Sequence, residues 1–286
     1  MERWFDCYMD IDKIQNSCLI CGGGTRVVWK EKKYIARRCK RCDVIFCPPA
    51  SNLTNLYDEK YFFQWYIKSY FKRKRYLQKL FSNIEKKITL PRGNLLDIGC
   101  GTGIFLELAK KRNFNITGLD ISPFAVEHCK KRGFDVIYGD IRQAKFIDNY
   151  FNIVTMLDVI AHVNYPLEYL KSVNKILKDN GLIIIKTPVH SMFLFHIANL
   201  LKFTGKSKSL LHIPAQIFHF NFRSIRNLLF LAGFESVCVI QTRDLPGFFL
   251  SLSPGAIFLY LVKILFQPFF VPDSIIIIGR KYKIGQ

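Results

Sequence analysis

The chain has 286 residues, half of them hydrophobic and 15% aromatic, which is too apolar for a disordered polymer and long enough for one large core. Its 42 Lys+Arg against 22 Asp+Glu leave a formal charge of +20, which disfavours a cationic partner and favours polyanions: nucleic acid, an anionic lipid surface or an acidic glycan. A clean transmembrane span is not expected, because the most apolar stretch, 248–270, is interrupted by Pro254, Lys263 and Pro268.

Residues 1–16 carry Glu2, Asp6, Asp10 and Asp12 and no apolar core, unlike a secretory leader. The expected compartment is therefore a reducing cytoplasm, where paired cysteines point to metal rather than to disulfides. Cys18-x-x-Cys21 and Cys39-x-x-Cys42 stand 17 residues apart and offer four soft thiolates for one tetrahedral, structural Zn²⁺. Gly22-Gly23-Gly24 permits a tight turn beside the first pair, while Arg37, Arg38, Lys40 and Arg41 offset thiolate charge. Cys47 is expected to pack rather than to ligate. A zinc-ribbon-like module is thus expected over 1–50, ending at Pro48-Pro49.

A helical connector is expected over 51–92. Tyr66, Tyr70, Leu77, Leu80, Phe81 and Ile84 recur at spacings of three and four, which predicts a helix from about 66 to 87 before Pro91-Arg92-Gly93 breaks the chain. Beyond it, short apolar runs alternate with amphipathic ones. Strands are expected at 94–98, 115–119, 135–138, 153–157, 182–186, 235–241 and 274–281. Helices are expected at 103–112, 123–132, 166–178 and 224–232. That alternation predicts an α/β, Rossmann-like fold: a seven-stranded, mostly parallel sheet with helices on both faces, preceded by the small zinc-binding module.

The first of these strands runs into Leu-Leu-Asp-Ile-Gly-Cys-Gly-Thr-Gly at 95–103. Gly99, Gly101 and Gly103 let the backbone turn tightly and approach a ligand. Asp120 ends the second strand, where a ribose-holding acid is expected, and Asp140 follows the third, placed to accept from an adenine amino group. Asp97 beside the loop would repel a pyrophosphate. It suits instead a cofactor with an ammonium and a sulfonium and no phosphate, namely S-adenosylmethionine.

Asp-Ile-Gly-Cys-Gly-Thr-Gly, Gly-Leu-Asp-Ile-Ser, Gly-Asp-Ile and Leu-Asp-Val-Ile-Ala-His-Val-Asn-Tyr-Pro resemble the successive motifs of class I S-adenosylmethionine-dependent methyltransferases, over about residues 93–240. The resemblance implies a last strand inserted antiparallel between the fifth and sixth. It implies that Gly99 and Gly101 line the methionine part, Asp120 the ribose hydroxyls and Asp140 the adenine. Cys100, Gly103, Ile121, Ile141, Leu157 and Asp158 within these motifs are expected at the same site. The domain is expected to run over 93–286, with apolar insertions at 188–222 and 245–272. The resembling subgroup often carries such a ribbon ahead of an aromatic stretch like that at 56–62, and includes enzymes acting on sugars, lipids and polysaccharides.

At 157–166 the subgroup usually has Asp-Val-Leu-Glu-His-Val, and here Ala161 stands where Glu is usual. His162 is a candidate general base, or equally a structural histidine bonding the loop. His219, in a segment resembling His-x-x-Phe-Ser, is a candidate to face the substrate. The apolar insertions suit a substrate lid or an anionic membrane surface at the cytoplasmic face, with Lys202, Lys206, Lys208 and Lys263 near headgroups. The favoured reading is O-methylation of a sugar or lipid-linked small molecule. An RNA methyltransferase gripping RNA through the zinc module, and a non-catalytic zinc-ribbon binding protein with a vestigial cofactor domain, are the alternatives. Nucleic acid is the weaker partner, since no dense basic run is present. The sequence leaves acceptor and oligomeric state open.

Overall fold

The computed structural model describes residues 17–48, 63, 67–189, 192–204, 207–242 and 274–282. The lead 1–16, the aromatic stretch 56–62 and the apolar insertion 245–272 lie outside the described residues.

Between the two cysteine pairs the chain folds back as a hairpin of β1 (Thr25–Glu31) and β2 (Tyr34–Cys39). Trp29 and Glu31 point inward on either side of exposed Lys30, and a two-residue turn with Lys32 at φ 52° joins the strands. β3 (Ile45–Phe46) follows. Helix α1 (Tyr70–Lys87) buries Leu77, Leu80, Phe81 and Ile84, the stripe expected of it; Tyr66, where the periodicity begins, lies outside the described residues.

The alternating region unfolds in order as β4 (Asn94–Ile98), α2 (Ile104–Lys110), β5 (Asn115–Asp120), α3 (Pro123–Lys131), β6 (Val136–Tyr138) and β7 (Phe151–Leu157). A 3₁₀ turn at Ile160–His162 leads to α4 (Pro166–Ile176) and β8 (Leu177–Pro188). Here the sequence reading needs correction. The helix stops at Ile176 rather than 178, and the strand begins at Leu177 rather than 182. Leu177 already pairs with Phe151, and a bulge follows before Leu182 pairs with Ile153. Asn180 lies inside that bulge at φ 61°. Then come α5 (Met192–Leu201), α6 (Ser207–Leu210), β9 (Phe218–His219), α7 (Phe222–Leu231), β10 (Phe234–Thr242) and β11 (Ser274–Lys281).

Seven strands form one sheet in the order β10-β11-β8-β7-β4-β5-β6. β11 is antiparallel to both neighbours, while β8, β7, β4, β5 and β6 are parallel, as expected. Strands this central are apolar on both faces, and β11 accordingly buries Ile275, Ile276, Ile277 and Ile278 completely or nearly so.

The second sheet has the order β1-β2-β3-β9. Its fourth strand comes from far along the chain, with Ile45 opposite His219 and Phe46 opposite Phe218. The stretch 188–222 is therefore not simply a loose insertion. Phe195 and Ala198 of α5, with Leu211 and Ile213, pack on Trp29, Ala36 and Cys47 of the small module. Cys47 packs, as expected. The opposite side of the module enters the main core, where Cys18, Cys42, Val44 and Phe46 join Ile160, Ala161, Ile217 and Ile225. Asn221 ties the two parts together. Its side chain caps α7 by accepting from the Ser224 amide at 2.9 Å, and it donates to Asp43 Oδ2 at 2.7 Å.

Candidate active site and cysteine cluster

β4 delivers the glycine loop to the carboxyl edge of the sheet. Gly99, Gly101 and Gly103 take φ of 72°, 53° and 71°, a region closed to most side chains. A Cβ on Gly99 would stand 2.4 Å from Val159 Cγ2, so the loop lies directly on the turn after β7. Cys100 is buried, and Gly103 ends the loop as the N-cap of α2.

The three acids sit at the strand ends as the motifs imply, but their carboxylates are not alike. Asp97 is buried and accepts from Thr155 Oγ1 at 2.6 Å. Burial pushes its pKa up to about 7, with the nearby Asp120 charge adding to the rise. Asp120 accepts from the amides of Gly101 at 2.8 Å and Ser122 at 2.9 Å, so it braces the glycine loop. Asp140 is closed by Arg142, whose Nε and Nη2 reach its two oxygens at 3.0 and 2.8 Å. An adenine contact at Asp140, as the resemblance implies, therefore requires this pair to open. Ile121 is 39% exposed beside Asp120, an apolar surface at the mouth of the loop, whereas Ile141 is buried in the core.

Leu157 ends β7 half-buried, and Asp158 follows at φ 61°. Lys186 of β8, only 5% exposed, donates to both Asp158 oxygens at 2.8 and 3.0 Å. Sequence reasoning missed Lys186. Its signal was a lysine ending the run Ile183-Ile184-Ile185, a position a buried parallel strand does not give to a charge without a partner. His162 Nδ1 lies 2.7 Å from the carbonyl oxygen of Ala215. A carbonyl only accepts, so Nδ1 carries the proton and Nε2 keeps its lone pair. Burial lowers the pKa of this imidazole, which favours the neutral form.

His219 does not occupy the substrate-facing position expected of it. Phe218 and Phe220 point into the main core, so strand alternation turns His219 the other way, against Phe195 with ring centroids 5.2 Å apart. It is 1% exposed.

Cys18, Cys21, Cys39 and Cys42 converge, with all four Sγ atoms within 4.8 Å of one another. Cys18 to Cys42 is 3.6 Å and Cys21 to Cys39 is 3.5 Å, far beyond a disulfide bond. Two sulfurs on one tetrahedral zinc, each at about 2.3 Å, stand roughly 3.8 Å apart, so these spacings fit that ion. The amides of Ile20, Arg41 and Cys42 point at Sγ atoms at 3.3–3.4 Å, the support thiolates need. The Cys18 and Cys42 sulfurs are in hydrogen-bond contact, and that contact lowers the pKa of Cys18 while it raises that of Cys42. The cluster is compatible with zinc, held by the four residues the spacing singled out.

A methyltransferase-domain family model matches residues 70–239, and the chain belongs to that family. It is 31% identical over 102 residues to the mitochondrial ubiquinone biosynthesis O-methyltransferase of Schizosaccharomyces pombe, covering 32% of this chain and 37% of the relative. It is 32% identical over 111 residues to the ubiquinone biosynthesis O-methyltransferase of Pseudomonas aeruginosa, covering 36% and 48%. The matches thus span about half or less of these relatives' length. Among solved structures, a SAM-dependent methyltransferase from Archaeoglobus fulgidus superposes with a TM-score of 0.54 at 21% identity, over 73% of this chain and 94% of that one. A methyltransferase-like protein from Bacillus halodurans gives a TM-score of 0.55 at 17% identity, over 71% and 98%. These two likenesses concern the fold. Family match and sheet topology together give the chain a methyltransferase domain with the seven-stranded fold of S-adenosylmethionine-dependent methyltransferases.

Proposed function

We propose that this chain moves a methyl group from S-adenosylmethionine to a hydroxyl oxygen of a sugar or lipid-linked small molecule, with His162 taking the hydroxyl proton. The observation that carries the reading is the Nδ1–H bond from His162 to Ala215, which leaves Nε2 basic on the turn that meets the glycine loop. The name O-methyltransferase borne by the curated relatives agrees with an oxygen acceptor.

When bound, the cofactor supplies a methyl group on a cationic sulfur, already reactive toward an aligned nucleophile. The chain's own residues do the rest. Asp97 offers a buried carboxylate to the ammonium of the methionine part. Asp120 would accept from the ribose hydroxyls, and Ile121, exposed beside it, would meet one face of the adenine. Gly99, Cys100, Gly101 and Gly103 supply backbone with no side chain in the way. Asp140, Ile141, Leu157 and Asp158 border the same edge. His162 Nε2 accepts the proton as the oxygen–carbon bond forms and the sulfur–carbon bond breaks, so charge balances with a neutral thioether left behind. The run Lys72-Arg73-Lys74-Arg75 at the start of α1, of which Lys74 is paired with Glu107, adds positive charge that agrees with an acceptor carrying negative charge.

The test is transfer of a labelled methyl group to hydroxylated glycan and lipid fractions. His162→Gln is expected to lower kcat by about 10²–10⁴, with the Kd of the demethylated cofactor product unchanged within about twofold. Full activity in His162→Gln would remove the histidine from the reaction. Incorporation into RNA alone would replace the acceptor class.

A further inference from the structure

The cysteine cluster and His162 are joined by a short, fully traced path. The Cys39 amide donates to the Val44 carbonyl at 2.9 Å, turning the second cysteine pair directly into β3. β3 pairs with β9 through Ile45–His219 and Phe46–Phe218. The Cys47 amide donates to the Ile217 carbonyl at 2.8 Å, and the Ile217 amide donates to the Ala161 carbonyl at 2.9 Å. Ala161 precedes His162, and Ala215, two residues before Ile217, accepts from His162 Nδ1 at 2.7 Å. Cys18, Cys42, Val44 and Phe46 share one core cluster with Ile160 and Ala161, so side-chain packing follows the same route as the backbone bonds. The sulfurs thus set β3, β3 holds 215–217, and 215–217 holds both the backbone and the ring of the catalytic turn.

We propose that the four-cysteine cluster, loaded with zinc, is the positioning element of His162: the metal fixes β3 and, through it, the tautomer and orientation of the imidazole. The glycine loop touches this turn at Gly99 and Val159, but the bonds that brace the loop and Asp120 run among β4, β5 and the start of α3, outside the path from the sulfurs. Metal removal therefore separates two properties. Cofactor affinity survives, and the geometry of the proton acceptor does not. The inference rests on the assignment of His162 as that acceptor, although the coupling itself is measurable without turnover.

The experiment uses the full chain with ¹⁵N-labelled histidine, and His162→Gln identifies the His162 ring signals. In the zinc-loaded protein these signals show one fixed, neutral Nδ1–H tautomer. After chelation they collapse to an exchanging average, the Kd for the demethylated cofactor product stays within about threefold, and added Zn²⁺ restores the fixed form. Cys21→Ser behaves like the chelated protein. Cys21→His, which returns a nitrogen ligand at the half-exposed corner of the cluster, regains the fixed tautomer on zinc addition. Methyl transfer falls at least tenfold in kcat on chelation and returns with the metal. The proposal is overturned if the His162 signals are unchanged in protein shown to be metal-free. It is equally overturned if chelation abolishes cofactor binding, since the metal then holds the whole fold rather than one turn, or if the protein binds no zinc. A tautomer that follows zinc in a protein that transfers no methyl group to any hydroxyl would leave the coupling standing and remove the O-methylation reading.

Discussion

At the scale of single residues, Asp97 is the group whose chemistry is least comfortable. Its folded pKa of about 7 lies well above an ordinary carboxyl because no countercharge meets it in its buried place. The empty protein therefore binds an extra proton relative to the unfolded chain between about pH 4 and 7, and its stability falls as pH rises through that window. A bound ammonium would reverse the preference by stabilising the carboxylate. Binding must then displace a proton below pH 7, so the Kd of the cofactor product is expected to weaken about tenfold from pH 8 to pH 6, near 1.4 kcal/mol. In Asp97→Asn that pH dependence should vanish and affinity should drop, while the Tm of the empty protein at pH 8 should rise. Calorimetric titration across pH, with thermal melts of both proteins, checks each part. Gly99 makes a second point. Ala there meets both the left-handed φ of 72° and Val159 at 2.4 Å, and Gly99→Ala should cost roughly 1–3 kcal/mol. Adding Val159→Ala removes the clash but not the backbone strain, so the double variant should recover part of the loss in urea unfolding.

Among elements, the sheet was legible because its strands obey a rule sequence can show: apolar runs bounded by glycine, acid or proline, with helices of period 3.6 between them. All seven strands stand where those runs fall. What escaped was set by pairing rather than pattern. Leu177 begins β8 because Phe151 is beside it, and nothing in Lys178-Asp179-Asn180-Gly181 announces a strand. The β1–β2 hairpin was hidden because the cysteine spacing around it drew the reading toward a metal knuckle. His219 was misplaced because the histidine was legible and the direction of its two-residue strand was not. The two-part role of Asn221 is testable at this scale. Asn221→Ser keeps a good N-cap for α7 but cannot reach Asp43, whereas Asn221→Ala loses both. Alanine should lower stability by about 1–2 kcal/mol. Serine should lower it less, and the difference between them measures the tether between the small module and α7.

For the whole molecule, charge and apolar surface are distributed unevenly. Residues 180–234 contain no Asp or Glu, and within them Leu200 and Phe203 are 79% and 88% exposed beside exposed Lys202. Among the described residues no helix is long and apolar enough to cross a membrane. If the acceptor is lipid-linked as proposed, a surface of this kind would meet the headgroup layer. The full chain is expected to float with anionic vesicles at low ionic strength, and Leu200→Asp with Phe203→Asp should release it while cofactor binding stays intact. Wild-type protein that fails to float would point to a freely soluble acceptor. The strand that completes the small sheet has a consequence of another kind, in time rather than in space. Ile45 leaves the ribosome long before its partner His219, with 173 residues between them. At about 5–20 residues per second, the cysteine hairpin waits roughly 10–35 s with one edge unpaired. Through that interval the sulfurs are the best-placed groups to hold it, so a cell short of zinc during synthesis should accumulate misfolded nascent chains even where zinc supplied later finds finished protein fully competent.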